Sequence, residues 1–225
     1  MKAHTKIILP LALAASVFAI PATAQAATPT CDGHKATILG TSTANLLVGT
    51  AGADVIVGRG GNDTIRGGGG NDIICAGDGN DVVTGGAGRD IILAGDGADH
   101  VHGGAGADTI KGGSGTDDLQ GDDGNDTVFG DIGNDDLQGD DGDDLVVGGQ
   151  GDDDEQGNQG DDVLRGGDGS DSLRGGWGAD ELYGGQGDDN EQGGEGTDTI
   201  TDDQGNDIED GGNGDDLVDG IDDQQ

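Results

Sequence analysis

The chain has 225 residues, of which 52 are glycine and 47 are aspartate or glutamate, against nine lysines and arginines, and its net charge is −38. This balance excludes the basic surface that binding to nucleic acid or to an anionic membrane requires. By itself the composition is typical of a disordered chain, because so little apolar surface does not offset chain entropy.

The first 26 residues differ from all that follow. Lys2 and Lys6 precede an apolar run over residues 7–20, and a small-x-small motif, Ala-Gln-Ala, ends the segment. This order predicts a cleaved secretory signal peptide over residues 1–26. A membrane anchor is the alternative, but 14 apolar residues are short for a span. We therefore expect a secreted, extracellular chain without a membrane span.

A short N-terminal segment, residues 27–39, follows the predicted signal peptide and contains Cys31. The second cysteine of the chain is Cys75. An even number of cysteines in an oxidising compartment predicts one disulfide between them. Two free or metal-binding thiols are the alternative.

An internal repeat fills the rest of the chain. From Gly40 to Asp219 the sequence divides into twenty consecutive nonads without insertion or deletion. In every nonad after the first, the fourth residue is glycine and the sixth is aspartate, and the eighth is Ile, Leu or Val in seventeen nonads. A disordered acidic tail has no reason to keep three positions in phase, so the repeat predicts an ordered unit over residues 40–219. A short tail, 220–225, remains.

Three of these nonads carry a family pattern letter for letter: GGAGRDIIL (85–93), GGAGADTIK (103–111) and GGSGTDDLQ (112–120). They match the GGxGxDxUx nonapeptide, with U a large aliphatic residue, of the repeats-in-toxin (RTX) family. The chain resembles this family over its twenty nonads. The resemblance implies an all-β fold, a right-handed parallel β-roll (β-solenoid) with two nonads per turn and about ten turns. It also implies that six residues of each nonad form a loop and the last three a short strand.

Elementary geometry supports such a roll. Glycines allow tight, positive-φ turns, and side chains alternate along a short strand, so the eighth residue points inward while the seventh and ninth point outward. No single nonad buries enough apolar surface to fold alone. Stability must come from stacked neighbours.

The sixth-position aspartates would then stack along each edge at a spacing of about 4.8 Å, where unneutralised carboxylates repel. Calcium accepts six to eight oxygen ligands from carboxylates and backbone carbonyls, whereas magnesium demands octahedral geometry. Zinc and copper prefer nitrogen or sulfur, which are scarce here.

The RTX resemblance implies the same ion, held between successive turns. The alternative is a solvated acidic face with loose counterions. The extra third-position acids could contribute ligands, but we expect them to be solvated; they are Asp78, Asp96, Asp123, Asp141 and Asp168. We predict multiple Ca²⁺ ions bound by Asp54, Asp63, Asp72, Asp81, Asp90, Asp99, Asp108, Asp117, Asp126, Asp135, Asp144, Asp153, Asp162, Asp171, Asp180, Asp189, Asp198, Asp207 and Asp216.

Three nonads break the apolar column at the eighth position with Glu155, Glu191 and Glu209. All three are odd-numbered nonads, so these glutamates belong to one sheet. An unpaired carboxylate inside an apolar core is costly. We therefore expect this sheet to be loosened or wet from about residue 148 onward.

The outward positions near the N-terminus are unusually apolar and include Val55, Ile73 and Ile91, with Cys75 among them. Such a patch needs a cover or a partner, in this case an unidentified protein or surface. If residues 31–39 continued the repeat in register, Cys31 would lie about 10 Å from Cys75, too far for a disulfide. The bridge and an in-register N-terminal nonad therefore appear as rivals, and we favour the bridge.

No nucleophile–base pair is visible in the sequence, and His100 and His102 are expected to be surface histidines rather than a zinc pair. We therefore expect no enzyme. The predicted function is a secreted calcium-binding protein that folds into a β-roll on binding several calcium ions. The alternative is an extracellular adhesion or surface-interaction module whose docking face is organised by calcium.

Overall fold

The computed structural model describes residues 29–201 and 204–219. The predicted signal peptide and the tail over residues 220–225 lie outside the described residues. Within the described part of the chain, all regular structure is β.

The strands fall into a short N-terminal group and a long series that follows the nonads. The N-terminal group is β1 (Thr30–Cys31), β2 (His34–Lys35), β3 (Ile38–Leu39) and β4 (Leu46–Val48). The series continues with β5 (Val55–Gly60), β6 (Thr64–Gly69), β7 (Ile73–Asp78), β8 (Val82–Ala87), β9 (Ile91–Asp96), β10 (His100–Ala105), β11 (Thr109–Ser114), β12 (Asp118–Asp123), β13 (Thr127–Ile132), β14 (Asp136–Asp141), β15 (Leu145–Gln150), β16 (Asp154–Gln159), β17 (Val163–Asp168), β18 (Ser172–Gly178), β19 (Glu181–Gln186), β20 (Asn190–Gly196), β21 (Thr199–Thr201), β22 (Ile208–Gly214) and β23 (Leu217–Asp219).

Two parallel sheets result, because strands alternate between the two sides of the roll. One sheet has ten strands and runs from β4 through the even-numbered strands to β22, and the other has eleven and runs from β3 through the odd-numbered strands to β23. Partner residues are eighteen apart, as in the pair Ile74 and Ile92 and the pair Leu119 and Leu137. The predicted parallel β-solenoid of about ten turns, with two nonads per turn, is confirmed.

The strands are longer than the sequence pattern predicts. Most span six residues, combining the last three positions of one nonad with the first three of the next, so the expected six-residue loop is wrong. In β10, His102 pairs with Gln120 and Gly104 pairs with Asp122, while the intervening Gly103 is skipped. The first position thus bends the strand without ending it, because the second and third positions still find hydrogen-bond partners in the adjacent turn.

The core is a thin layer of eighth-position side chains that meet between the two sheets. Fifteen aliphatic side chains at this position are at most 1% exposed. One aliphatic side chain per strand is therefore enough to build an apolar core when the strands are stacked. This column contains Ile56, Ile65, Ile74, Val83, Ile92, Val101, Ile110, Leu119, Val128, Leu137, Val146, Leu164, Leu173, Leu182 and Ile200.

Two of the three core glutamates are buried without disturbing the sheet. Glu155 is 0% exposed and Glu191 is 1% exposed. Strand pairing continues through Glu155, which lies between Leu137 and Leu173. The expectation of a loosened, wet sheet is wrong at these positions, because the carboxylates are enclosed by the stacked turns.

The N-terminal segment combines two arrangements that the sequence analysis treats as rivals. Cys31 and Cys75 form a disulfide with a Cα–Cα distance of 5.8 Å. Ile38 nevertheless pairs in register with Ile56. Both are possible because only β3 continues the roll, whereas β1 and β2 form an antiparallel hairpin that folds back against β5 and β7.

This hairpin covers part of the apolar patch predicted on the outer face. Val57 is 8% exposed and Cys31 is 1% exposed. Ile38 packs against the core, whereas Leu39 remains 44% exposed. The cover is therefore supplied mainly by the disulfide-linked hairpin.

Candidate metal centre

The sixth-position aspartates form two hydrogen-bonded columns, one along each edge of the roll. From Asp54 to Asp198, the backbone N–H of each aspartate donates to Oδ1 of the aspartate eighteen residues later, at 2.6 Å from Asp108 to Asp126 and 2.9 Å from Asp99 to Asp117. The even nonads supply the column that begins at Asp54. The odd nonads supply the column that begins at Asp63, whose Oδ1 accepts from the N–H of Asn45.

The second carboxylate oxygen of most of these residues is left buried without a donor. Since more than nine in ten buried polar groups are normally hydrogen-bonded, a repeated exception along two columns indicates a ligand. Among the described residues, no hydrogen-bond partner reaches Oδ2 of Asp63, Asp72, Asp81, Asp90, Asp99, Asp108, Asp117, Asp126, Asp135, Asp144, Asp153, Asp162, Asp171, Asp180 or Asp198.

First-position glycines form a cradle for most of these oxygens, although Ala76 and Ala94 stand at the first position in the nonads of Asp81 and Asp99. A Cβ placed on Gly85 would lie 2.6 Å from Oδ2 of Asp90 and 2.5 Å from the carbonyl oxygen of Gly103. A Cβ on Gly103 would lie 2.8 Å from Oδ2 of Asp108 and 2.7 Å from the carbonyl oxygen of Gly121. Carboxylate and carbonyl oxygens of adjacent turns thus converge on the side of the strand that lacks a side chain.

Burial disfavours the ionised form of these carboxylates when no counter-charge is nearby. Burial raises the pKa of Asp117 and of Asp162 to about 7, and that of Asp126 to about 6. The N–H donated from the previous turn opposes the shift, and neighbouring carboxylates add to it. The columns therefore need protons or cations to remain stacked.

The donors fit a hard divalent cation. The polar atoms nearest to Gly85 and Gly103 are oxygens, which calcium prefers, whereas zinc and copper prefer nitrogen or sulfur. In the described ranges, no three His, Cys, Asp or Glu side chains group around a single metal position. A cation at these columns would therefore need backbone carbonyls among its ligands, which suits calcium.

In the first turn, both carboxylate oxygens of Asp54 are hydrogen-bonded by nearby threonines. Oδ2 of Asp54 accepts hydrogen bonds from the N–H of Thr50 at 2.7 Å and from its hydroxyl at 2.8 Å, and Oδ1 accepts from the Thr37 hydroxyl at 3.2 Å. The Thr50 bonds lower the pKa of Asp54. Asn45, which replaces the first aspartate, is held in the same way by the N–H of Thr41 at 2.6 Å.

The third-position acids and the histidines lie at the surface, as expected. Asp78, Asp96, Asp123, Asp141 and Asp168 are all exposed. The two histidine rings share the outer face with their centroids 4.9 Å apart. Each Nδ1 faces an aspartate, Asp118 at 2.9 Å from His100 and Asp122 at 3.2 Å from His102.

A comparison with family models matches nearly the whole repeat region. The matching model is described as RTX calcium-binding nonapeptide repeat (4 copies), and its matches cover residues 39–74, 76–110, 93–128, 120–154, 156–191 and 192–220. The chain belongs to the RTX calcium-binding nonapeptide repeat family. None of the curated proteins compared with the chain matches it. The described residues contain no helix with the length and apolar character needed to cross a bilayer.

Two features of this RTX chain are not apparent from its repeat pattern. The pattern does not show that one oxygen of each aspartate is used by the backbone, or that Glu155 is enclosed without loosening its sheet. The self-capped first turn does have a signal, because threonine stands at the second position only in the first two nonads, at Thr41 and Thr50.

Proposed function

We propose that this protein is a secreted, non-enzymatic calcium-binding protein that folds into its roll on binding several calcium ions between turns. The observation that carries this proposal is the row of buried, unpartnered Oδ2 atoms along both edges. Bound calcium would neutralise these carboxylates and complete their coordination with oxygen ligands.

The ligands we propose are the sixth-position aspartates from Asp63 to Asp216, with backbone carbonyls of the adjacent turns. Asp54 we place outside this set, because Thr37 and Thr50 already satisfy its oxygens. The backbone of each preceding turn holds one carboxylate oxygen by a hydrogen bond. That contact orients the second oxygen toward the glycine cradle.

Folding and binding are coupled in this proposal. A chain with a net charge of −38 repels itself when compact, and the stacked columns bring the carboxylates together. No preformed site exists in an unfolded chain, so the binding free energy contributes directly to folding. A calcium-depleted environment would then keep the chain expanded, and a calcium-rich one would order it.

Export is the second part of the proposal. The Cys31–Cys75 disulfide suits an oxidising compartment. The signal-peptide pattern over residues 1–26, which lies outside the described residues, supports the same location.

An adhesion or surface-interaction module remains the second candidate, and the structure does not favour it. A docking face requires an open apolar patch. Val55, Ile73 and Ile91 are only partly exposed, and the N-terminal hairpin already contacts β5 and β7.

Native mass spectrometry of the mature protein tests the proposal directly. After dialysis against calcium, the folded protein should retain many Ca²⁺ ions, and EDTA should remove them. Magnesium at the same concentration should leave far fewer bound ions. A calcium-treated protein that carries no metal would refute the proposal.

A further inference from the structure

Glu155 is the most unusual charged residue in the core. It takes the eighth position in β16, where seventeen of the twenty nonads have an aliphatic side chain. It is 0% exposed. Neither Oε1 nor Oε2 has a hydrogen-bond partner among the described residues. A buried carboxylate with two unsatisfied oxygens requires a ligand that the protein chain itself does not provide.

The side chain reaches the same cradle that the aspartate columns use. At Gly148, the first position of the same nonad, a Cβ would meet Oε1 of Glu155 and Oδ2 of Asp153 at closest approach. The carbonyl oxygen of Gly166, in the next turn, would lie 2.8 Å from the same point. Inside the roll, Oε1 of Glu155 therefore lies beside Oδ2 of Asp153 and the carbonyl oxygen of Gly166.

Three oxygens, two of them from carboxylates, meet at this place. A proton shared between Glu155 and Asp153 would join two of the oxygens and leave the Gly166 carbonyl out. A divalent cation satisfies all three, because calcium combines carboxylate and carbonyl ligands in flexible geometry. A cation therefore uses all three oxygens, whereas a shared proton uses two.

We infer that Glu155 is a calcium ligand that acts with Oδ2 of Asp153 and the carbonyl oxygen of Gly166. This inference rests on the proposed function. It gives one site in the proposed series of calcium sites between turns, which we call the calcium ladder, a carboxylate that the repeat pattern lacks. Since calcium affinity rises with the number of charged ligands, this step holds its ion more tightly than the aspartate-only steps do.

Glu191 provides a comparison within the chain. It has the same position in its nonad and is equally buried, but its carboxylate accepts a hydrogen bond from the N–H of Gly184. Only Oε1 of Glu191 lacks a partner among the described residues. Glu155, with both oxygens unsatisfied, is therefore the stronger ligand of the two.

Chelator-buffered calcium titrations followed by native mass spectrometry test the inference on the mature protein. Glu155→Gln keeps the volume of the side chain and removes its charge. Glu155→Leu restores the aliphatic residue of the repeat. It is the second variant, because it should fold even if Glu155→Gln fails to fold. Glu195→Gln is the matched control, because it removes a carboxylate from an exposed position.

At the lowest free calcium that loads the wild type, Glu155→Gln and Glu155→Leu should each hold one ion fewer. The affinity of the tightest step should fall by about tenfold, and Glu195→Gln should match the wild type. If Glu155 is only a misplaced or protonated core residue, Glu155→Leu will bind calcium as well as or better than the wild type, which overturns the inference. A wild type that binds no calcium would instead refute the proposed function.

Discussion

The backbone N–H of Asp108 donates a 2.6 Å hydrogen bond to Oδ1 of Asp126, one full turn later, and Oδ2 of Asp126 is buried without a partner among the described residues. One side chain thus has two roles. Its first oxygen locks the register between turns, and its second faces the glycine cradle. The repeat needs aspartate at this position because a single short carboxylate performs both roles.

Replacing Asp126 by asparagine separates these two roles. The amide oxygen of Asp126→Asn can still accept the N–H of Asp108, but the NH₂ group takes the place of Oδ2 and cannot bind a cation. We expect this variant to lose calcium from the central turns and to require more calcium to fold. Native mass spectrometry and calcium-dependent circular dichroism measure both effects.

Asp54→Asn is the matched control for that experiment. The oxygens of Asp54 are hydrogen-bonded by Thr37 and Thr50, so its replacement should leave the number of bound calcium ions unchanged. Equal loss of calcium in both variants would contradict the distinction between the first turn and the ladder.

The metal-free protein should fold on acidification. Burial raises the pKa of Asp171 to about 7 and that of Asp144 to about 6, above the ordinary value of 3.8. The folded state therefore binds more protons than the unfolded state between these pH values, so protonation of the buried aspartates stabilises it. This stabilisation is complete below pH 3.8 and is lost as the pH rises through 6 to 7. In EDTA, the β signal in circular dichroism should be strong at pH 5 and absent at pH 8.

The measurement at pH 5 avoids the isoelectric point of the sequence, near 4.1, where association is favoured. A calcium-loaded sample serves as the reference for the folded signal. An EDTA sample that loses β signal on acidification would contradict the assignment of raised pKa values to the stacked columns.

Gly124→Ala should prevent stacking at the centre of the roll. Gly124 has a φ of +142°, and a Cβ there would lie 2.5 Å from the carbonyl carbon of Gly106 in the preceding turn. The substitution combines backbone strain with a clash against backbone that cannot move independently. We expect a lower midpoint in urea unfolding of the calcium form.

Gly52→Ala tests whether that effect arises from stacking. Gly52 has the same fourth position in its nonad, but a Cβ there would meet no heavy atom within 4 Å. Its urea midpoint should stay close to that of the wild type. A similar loss in both variants would show that the fourth-position glycine has a role unrelated to the preceding turn.

Removing the disulfide should destabilise the N-terminal end of the roll without releasing bound calcium. Cys31 and Cys75 are 44 residues apart, and a bridge of this span contributes about 2–4 kcal/mol. The double variant Cys31→Ser, Cys75→Ser should unfold at lower urea and keep its calcium count. Hydrogen exchange should rise first in β1 and β2, and loss of bound calcium would contradict this view.

Much of the fold follows from the phase of the repeat. The eighteen-residue period, the two parallel sheets and the aliphatic core are consequences of positions four, six and eight, and all are present. The six-residue strands are not predictable from side chains, because their extra length comes from backbone hydrogen bonds at the second and third positions.

The N-terminal cap and the core glutamates depend on contacts that span turns. Asp32 and Gly33 adopt positive φ values, which reverse the chain so that Cys31 reaches Cys75 while Ile38 keeps its register. The course of the Glu155 side chain toward Gly148 likewise depends on space left by a glycine of the same nonad. The repeat pattern locates the N-terminal segment and Glu155, but it does not indicate the direction that the chain or the side chain takes.

The central claim is that cations between turns allow so acidic a chain to become a roll. Small-angle X-ray scattering and circular dichroism of the mature protein at pH 8, with excess calcium or with EDTA, test it most directly. The calcium sample should be an ordered rod rich in β structure, and the EDTA sample should be expanded and lack that signal. Identical scattering and identical β content in both samples would contradict the claim.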